Sequence, residues 1–147
     1  MAKSELDKYF RKTGSKTEGH HPEVTAPRLM LTSDKAFGNL KFSLGCQAIT
    51  KPFVMVAENH AHDFDQFLFF SGGDGNKMPG LGGVVEITLS KDGKKLEKFT
   101  ITEATAVFVP AGLYHCPLVF KKINDLKKPI IFQDLYFSAS YERKAKT

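Results

Sequence analysis

Short apolar segments separated by turn residues fill the chain from Arg28 onward, and this alternation limits the possible fold more than any other feature. The segments are rich in Val, Ile and Phe, which favour strands over helices. The pattern predicts strands at residues 29–32, 40–49, 53–58, 64–71, 84–90, 96–102, 105–110, 113–120 and 129–138. The turn around Asp92 and Gly93 predicts a tight hairpin between two of them. Many closely spaced strands predict an all-β sandwich or barrel.

The first 27 residues differ from this pattern and are interpreted as an N-terminal arm before a barrel at 28–138 and a basic tail at 139–147. Ser4 is a candidate cap for a short helix from Glu5 to Lys12. His20 and His21 lie in the arm, and we expect no role for them in a site. The glycine-rich stretch 72–83 predicts a mobile loop. It does not predict a phosphate site, because no Gly-Lys-Ser/Thr sequence follows.

Composition excludes several classes of protein. The chain has 147 residues, of which 41% are hydrophobic and 25% charged, as expected for one soluble globular domain. No apolar run approaches the roughly 18 residues of a membrane span, and a secretory signal is not expected at the charged N-terminus. The net charge of +5 comes mainly from both termini and from residues 121–128, without interleaved aromatic residues, so nucleic acid is not an expected partner. Cys46 and Cys116 lie far apart, which favours free thiols in a reducing cytoplasm.

Three of the five histidines form a pattern that suits a metal ion. His60 and His62 are two residues apart, so on a strand their side chains project from the same face. Gln66 has the same parity. His115 follows a Pro-x-Gly turn at 110–112, which reverses the chain and brings a third imidazole towards the pair. Imidazoles from neighbouring strands are ligands that divalent transition metals prefer.

These residues resemble the two motifs of the cupin superfamily. The first is His60-Ala61-His62 with Gln66 downstream, and the second runs from Pro110 to His115. The resemblance implies a small single-domain jelly-roll barrel, a double-stranded β-helix, that takes a small-molecule ligand. It also implies metal ligands at His60, His62, His115 and Gln66, where Gln66 replaces the usual Glu. The cofactor would be one divalent ion of Fe, Zn, Ni, Cu or Mn.

Gln66 changes the chemistry that this resemblance implies. A Glu ligand offsets one charge of a divalent ion, whereas the Gln amide offers a neutral carbonyl oxygen. The ion would keep its full charge, act as a stronger Lewis acid and favour an anionic ligand. The alternative interpretation is a degenerate site that no longer binds metal.

Three further residues are candidates for the pocket. Glu86 interrupts an apolar strand and either faces solvent or enters the barrel as a catalytic acid or base. Tyr136, the second catalytic candidate, shares parity with Asp134 on the last strand, so that either could line the pocket mouth. Cys116 has the opposite parity to His115, which predicts a buried packing thiol.

Parity also bears on assembly and on function. If Gln66 and Leu68 face the interior, Phe67 and Phe69 point outward, which predicts a covering surface such as a second subunit in a homodimer. The resulting hypothesis is a metal-dependent enzyme acting on a small carboxylate, aromatic or sugar-like metabolite, of dioxygenase, isomerase or decarboxylase/lyase type. The alternative is a non-catalytic module that binds or senses a small molecule, because this kind of barrel serves both purposes.

Overall fold

The structure, a computed structural model, is built almost entirely from strands. It describes residues 4–13, 15–16 and 21–141, with the backbone alone described at 15–16. A short 3-10 helix spans Glu5–Tyr9. The strands are β1 (Ser15–Lys16), β2 (Arg28–Asp34), β3 (Phe37–Ile49), β4 (Phe53–Val56), β5 (Gln66–Gly72), β6 (Gly80–Ser90), β7 (Glu97–Glu103), β8 (Thr105–Val109), β9 (Tyr114–Ile123) and β10 (Ile130–Tyr136).

The strands form two antiparallel sheets. The larger sheet has the order β1-β2-β3-β10-β5-β8, and the smaller has the order β4-β9-β6-β7. Strands that are distant in sequence pair with each other, as β3 does with β10 and β4 with β9. The two sheets enclose one core, which is the arrangement of a jelly roll. The prediction of an all-β jelly-roll barrel is confirmed.

The core lies between the sheets and is centred on phenylalanine. Phe70, Phe120 and Phe132 are each at most 3% exposed. The Phe70 and Phe132 rings stack with centroids 5.0 Å apart, and the Phe120 ring meets Phe132 edge-on at 5.9 Å. Burying a phenylalanine of this kind stabilises the fold by roughly 1.5–3 kcal/mol. This packed end of the barrel leaves space at the other end for a cavity.

The predicted loop at 72–83 is shorter than expected, because β6 begins at Gly80. Two of its glycines have a packing reason. A Cβ at Gly72 would collide with the carbonyl oxygen of Gly80, and one at Gly83 would collide with that of Lys122. Glycine therefore allows the backbones to approach closely where the sequence pattern suggested a mobile loop. The hairpin joining β6 to β7 is as predicted, with Asp92 accepting backbone N–H groups from Lys94 and Lys95.

The arm also differs from its prediction. The helix ends at Tyr9 instead of Lys12 and buries no side chain, although Ser4 and Asp7 form the expected capping interactions. Val24 packs into the core, so the last part of the arm belongs to it. In the ranges that the structure describes, no helix is long and apolar enough to cross a membrane.

Four exposed phenylalanines lie together on the outer surface of the larger sheet. Phe67 and Phe69 face outward as predicted, at 38% and 39% exposure. The Phe67 ring contacts those of Phe108 and Phe137, with centroids 5.0 and 6.3 Å away. We call Phe67, Phe69, Phe108 and Phe137 the outer phenylalanine patch.

Candidate metal centre

Three imidazoles converge where the segment between β4 and β5 meets the start of β9. The backbones of His60 and His115 exchange two hydrogen bonds, at 3.0 and 2.8 Å. The ring centroids of His60 lie 4.4 Å from His115 and 4.8 Å from His62, and His62 lies 5.1 Å from His115. All three residues are at most 3% exposed. The structure therefore brings together the three histidines that the sequence motifs singled out.

The Pro-x-Gly turn explains how His115 reaches its place. Gly112 adopts a φ of +86°, a left-handed conformation that favours glycine. Its N–H donates to the carbonyl oxygen of His62 at 2.8 Å, which ties the turn to the first motif. Asp65 accepts the N–H of Ala111 at 2.9 Å and adds a second tie.

Backbone carbonyl groups orient two of the imidazoles. Nδ1 of His60 lies 2.9 Å from the carbonyl oxygen of Glu58, and Nδ1 of His115 lies 3.2 Å from that of Leu113. A carbonyl oxygen can only accept, so each bond requires a proton on Nδ1. In the neutral ring the lone pair is then on Nε2, which is the tautomer that binds a metal through Nε2.

Gln66 stands at the first position of β5, with an amide that is held from one side. Its Nε2 donates to Oδ1 of Asp134 at 2.7 Å. Its Oε1 is buried and has no hydrogen-bond partner among the described residues. Burial raises the pKa of Asp134 to about 6, and the bond from Gln66 opposes this rise. The amide is thus anchored by its nitrogen, and its oxygen remains available as a ligand.

Cys116 is more than the packing thiol that its parity predicted. Between Ile87 and Leu89 of β6 lies one residue, whereas two lie between their partners Leu118 and His115 on β9. This irregularity is a β-bulge, which turns two successive side chains to the same side. Candidate ligand atoms of His60, His115 and Cys116 consequently all lie within 4.8 Å of one another. Strict alternation is the wrong rule at this point of the strand.

A cavity of about 250 Å³ adjoins the histidines. Both His60 and His115 line it, while His62 is buried beside them with its ring stacked on Phe64 and edge-on to Tyr141. Other polar or ionisable residues along the wall are His21, Arg28, Gln47, Gln66, Cys116, Asp134, Tyr136 and Tyr141. Tyr136 and Asp134 thus both line the cavity, which the sequence left open.

Glu86 is not part of this site, and its candidacy as a catalytic acid or base is corrected. Its neighbours Val85 and Ile87 fill the core, so the alternation of β6 turns Glu86 to the outer surface. There its carboxylate lies 3.5 Å from the ammonium group of Lys98 and 3.9 Å from that of Lys121.

Four residues of the cavity wall were missed by sequence reasoning. His21 and Tyr141 belong to the arm and the tail, and no local pattern shows that these segments return to the barrel. Arg28 and Gln47 could have been found, because each is a polar residue at an inward-facing position of a predicted strand. His20 lies outside the described residues.

The spacing of the imidazoles fits a shared metal ion. With metal–nitrogen bonds of about 2.0–2.1 Å, ring centroids lie about 3.2 Å from the ion, and ligand angles of about 90–109° separate them by about 4.5–5.2 Å. The observed separations run from 4.4 to 5.1 Å. The available oxygen of Gln66 and the thiol of Cys116 supply further donors, and this mixture suits a transition metal. The donor set therefore fits a divalent ion.

Comparison with known proteins gives matches among solved structures. No family model and no curated protein matches this chain. Oxalate decarboxylase of Bacillus subtilis matches with a TM-score of 0.53 and 14% identity over 81% of this chain, which spans only 27% of that protein. KdgF from Halomonas sp. matches with a TM-score of 0.51 and 15% identity, covering 82% of this chain and 84% of that one.

A third solved structure, peruvianin-I, is described as a cysteine peptidase from Thevetia peruviana latex. It matches with a TM-score of 0.61 and 10% identity over 96% of this chain and 78% of its own. At such identities the likeness concerns the fold and not the activity. Oxalate decarboxylase and KdgF are cupins. Together with the two-sheet jelly roll and the converging histidines, these matches establish that this chain has the cupin fold.

Proposed function

We propose that this protein is a metal-dependent enzyme acting on a small carboxylate, aromatic or sugar-like metabolite. The observation that carries the proposal is the meeting of His60, His62 and His115 beside a cavity, with an available amide oxygen at Gln66. The ligands would be these four residues, and the ion one of Fe, Zn, Ni, Cu or Mn. One neighbouring structure concerns the Mn(II) centres of oxalate decarboxylase, which makes manganese an obvious ion to test.

The chemistry would divide between the ion and the chain. A bound divalent ion supplies a Lewis acid that polarises a substrate oxygen. Asp134 and the phenol of Tyr136 line the cavity and are the groups that could hold or accept a proton there. Met30, Met55 and Phe132 form an apolar wall that excludes water from the bound substrate. Dioxygenase, isomerase and decarboxylase/lyase reactions are all compatible with these roles.

The apolar share of the wall also favours a second candidate, a non-catalytic module that binds or senses a small molecule. Such a module needs no proton-transfer group. The presence of Asp134 and Tyr136 beside the candidate ligands is the reason why we place the enzyme first.

Elemental analysis of the purified protein tests the metal site. We expect about one equivalent of a divalent transition metal in the wild type and none in the double variant His60→Ala/His62→Ala. His21→Ala removes a cavity histidine outside the proposed ligand set and should keep the ion. Wild-type occupancy in the double variant would contradict the assignment.

Incubation of the metal-loaded protein with a panel of small carboxylic, aromatic and sugar acids separates the two candidates. Metal-dependent consumption of an acid that is lost in Tyr136→Phe or Asp134→Asn supports an enzyme. Tight binding of an acid that is recovered unchanged supports the binding module.

A further inference from the structure

We infer that the part of the cavity formed by Arg28 and Gln47 is a binding subsite for the carboxylate and an adjacent hydroxyl group of a hydroxylated carboxylic acid. The inference deepens the proposed function and rests on it for the identity of the reacting end of the ligand. It names which end of that ligand is held away from the candidate metal centre.

The two residues are neighbours on the inner face of the larger sheet. Leu29 of β2 pairs with Cys46 of β3, so Arg28 lies opposite Gln47 in the next position of the same ladder. Leu29 points outward and is 48% exposed, which turns its neighbour Arg28 inward. Both Arg28 and Gln47 line the cavity.

The polar groups of this pair are not satisfied by the protein. Nε of Arg28 and Oε1 of Gln47 are both buried, and neither has a hydrogen-bond partner among the described residues. Nor does any described acidic residue form an ion pair with Arg28, whereas the exposed Arg11 pairs with Asp34 at 2.9 Å. Leaving a buried guanidinium donor and an amide acceptor without partners costs stability, and binding sites are where such costs are retained.

The chemistry of the two groups defines the ligand. A guanidinium group presents several donors in a planar fork that matches a carboxylate. The amide oxygen of Gln47 can only accept, so its partner must carry a donor such as a hydroxyl group. A ligand that satisfies both is a carboxylic acid with hydroxyl groups on its carbon chain. A neutral polyol satisfies only Gln47, and a simple fatty acid satisfies only Arg28.

The register places this subsite at a distance from the histidines. On β10, Phe132 lies opposite Gln47, and Tyr136 lies opposite Gln66 of the candidate metal centre. Four residues of strand correspond to about 13 Å. Side chains reach into the cavity from both positions, so an elongated ligand would have its carboxylate at Arg28 and its other end near the imidazoles.

Calorimetric titration of chelator-treated protein tests the subsite without any contribution from a metal ion. The probes are gluconate, glucitol and hexanoate, of which only gluconate has both a carboxylate and hydroxyl groups. We expect gluconate to bind most tightly and Arg28→Met to weaken it at least tenfold. Arg28→Lys keeps the charge without the planar fork and should give an intermediate affinity. Gln47→Met should weaken gluconate severalfold and leave hexanoate unchanged.

Lys51→Met removes an exposed positive charge outside the cavity and is the matched control for general electrostatic attraction. Equal binding of gluconate by Arg28→Met and wild type, or equal binding of glucitol and gluconate by wild type, would overturn the inference. Arg28→Met removes a buried unpaired group and should unfold at the same or a higher denaturant concentration, so loss of binding is not loss of fold. Should it fail to fold, Arg28→Lys and Gln47→Met still decide the question.

The outcome is separable from that of the proposed function. His60→Ala/His62→Ala should still bind gluconate within about threefold of chelator-treated wild type, because Arg28 and Gln47 are intact. Loss of metal from that variant bears on the metal site alone, whereas loss of gluconate binding from Arg28→Met in metal-free protein bears on the subsite alone.

Discussion

Replacing Gln66 by Glu would place a second carboxylate directly against Asp134. The amide nitrogen of Gln66 now donates to Oδ1 of Asp134 at 2.7 Å, in a buried position. After the replacement, two ionised carboxyl groups would face each other with charge centres about 4 Å apart, which at an effective dielectric constant of 20 costs about 4 kcal/mol. The lost hydrogen bond adds roughly 1–3 kcal/mol. Two acids in such contact share one proton, so the pKa of the pair rises above neutrality.

The sign of the pH dependence follows from this rise. An acid with a raised pKa in the folded state stabilises the fold while it is protonated and loses this contribution as the pH rises through the folded-state pKa. Asp134 already behaves in this way, with a pKa of about 6 against the model value of 3.8. Gln66→Glu should extend the loss above pH 6. Its metal-free form should therefore be close to wild type in stability at pH 5 and about 4 kcal/mol less stable at pH 8.

Urea denaturation of chelator-treated protein at pH 5 and pH 8 measures this difference. Gln66→Met loses the hydrogen bond without adding a charge, so it should show a much smaller difference between the two pH values. The exchange variant Gln66→Glu/Asp134→Asn restores one amide and one carboxylate and should recover most of the stability at pH 8. Equal stability losses for Gln66→Glu at both pH values would refute the contact between the two side chains in solution.

The exchange variant also tests the metal site. It moves one negative charge from Asp134 to position 66, where the Glu carboxylate would replace a neutral ligand oxygen. Affinity for a divalent ion should rise on the order of tenfold or more, because a charge acts most strongly at the shortest distance. Unchanged affinity would mean that the side chain at position 66 is not a ligand.

Three further outcomes are expected. Cys116→Ser should keep its metal within about threefold, and Co²⁺-loaded wild type should lack a thiolate charge-transfer band, because we assign the ligands to the three histidines and Gln66; a strong band that disappears in Cys116→Ser would move the assignment to the thiol. In chelator-treated protein, the stability difference between wild type and Asp134→Asn should change by up to about 3 kcal/mol between pH 3.8 and pH 6, with wild type losing stability as the pH rises; a pH-independent difference in urea titrations would contradict the raised pKa. We propose that the outer phenylalanine patch is the interface of a homodimer, so sedimentation at micromolar concentration should give twice the chain mass for wild type and the single mass for Phe67→Glu; a monomeric wild type would exclude this interface.

The sequence predicts the barrel well because its two main signals are local. Alternation along single strands places Leu68 inside and Phe67 outside, as the structure has them. The turn at Gly112 depends on one residue in a left-handed conformation, which the Pro-x-Gly motif already contains. Local periodicity and turn chemistry are the signals that a sequence carries most directly.

The parts that failed depend on contacts between distant segments or on irregular pairing. Around Glu86 both strand faces carry apolar residues, so the face that joins the core is decided only when Val85 and Ile87 meet the opposite sheet. At Cys116 a bulge breaks the alternation, and its position depends on the pairing of β9 with β6. His21 reaches the cavity from the arm, a return that no neighbouring residue encodes.

The position of negative charge gives the site its character. The usual cupin Glu would put a carboxylate on the ion, whereas here the amide of Gln66 stands where that ligand would be and Asp134 holds the carboxylate behind it. The hydrogen bond from Gln66 spends its N–H on Asp134, which leaves the amide oxygen to face any cation with part of that negative charge behind it. Arg28 adds a positive charge to the cavity wall without a described acidic partner. A cavity with neutral ligands near one end and an unpaired guanidinium group near the other attracts anions along its whole length, and this favours acids over neutral sugars as its ligands.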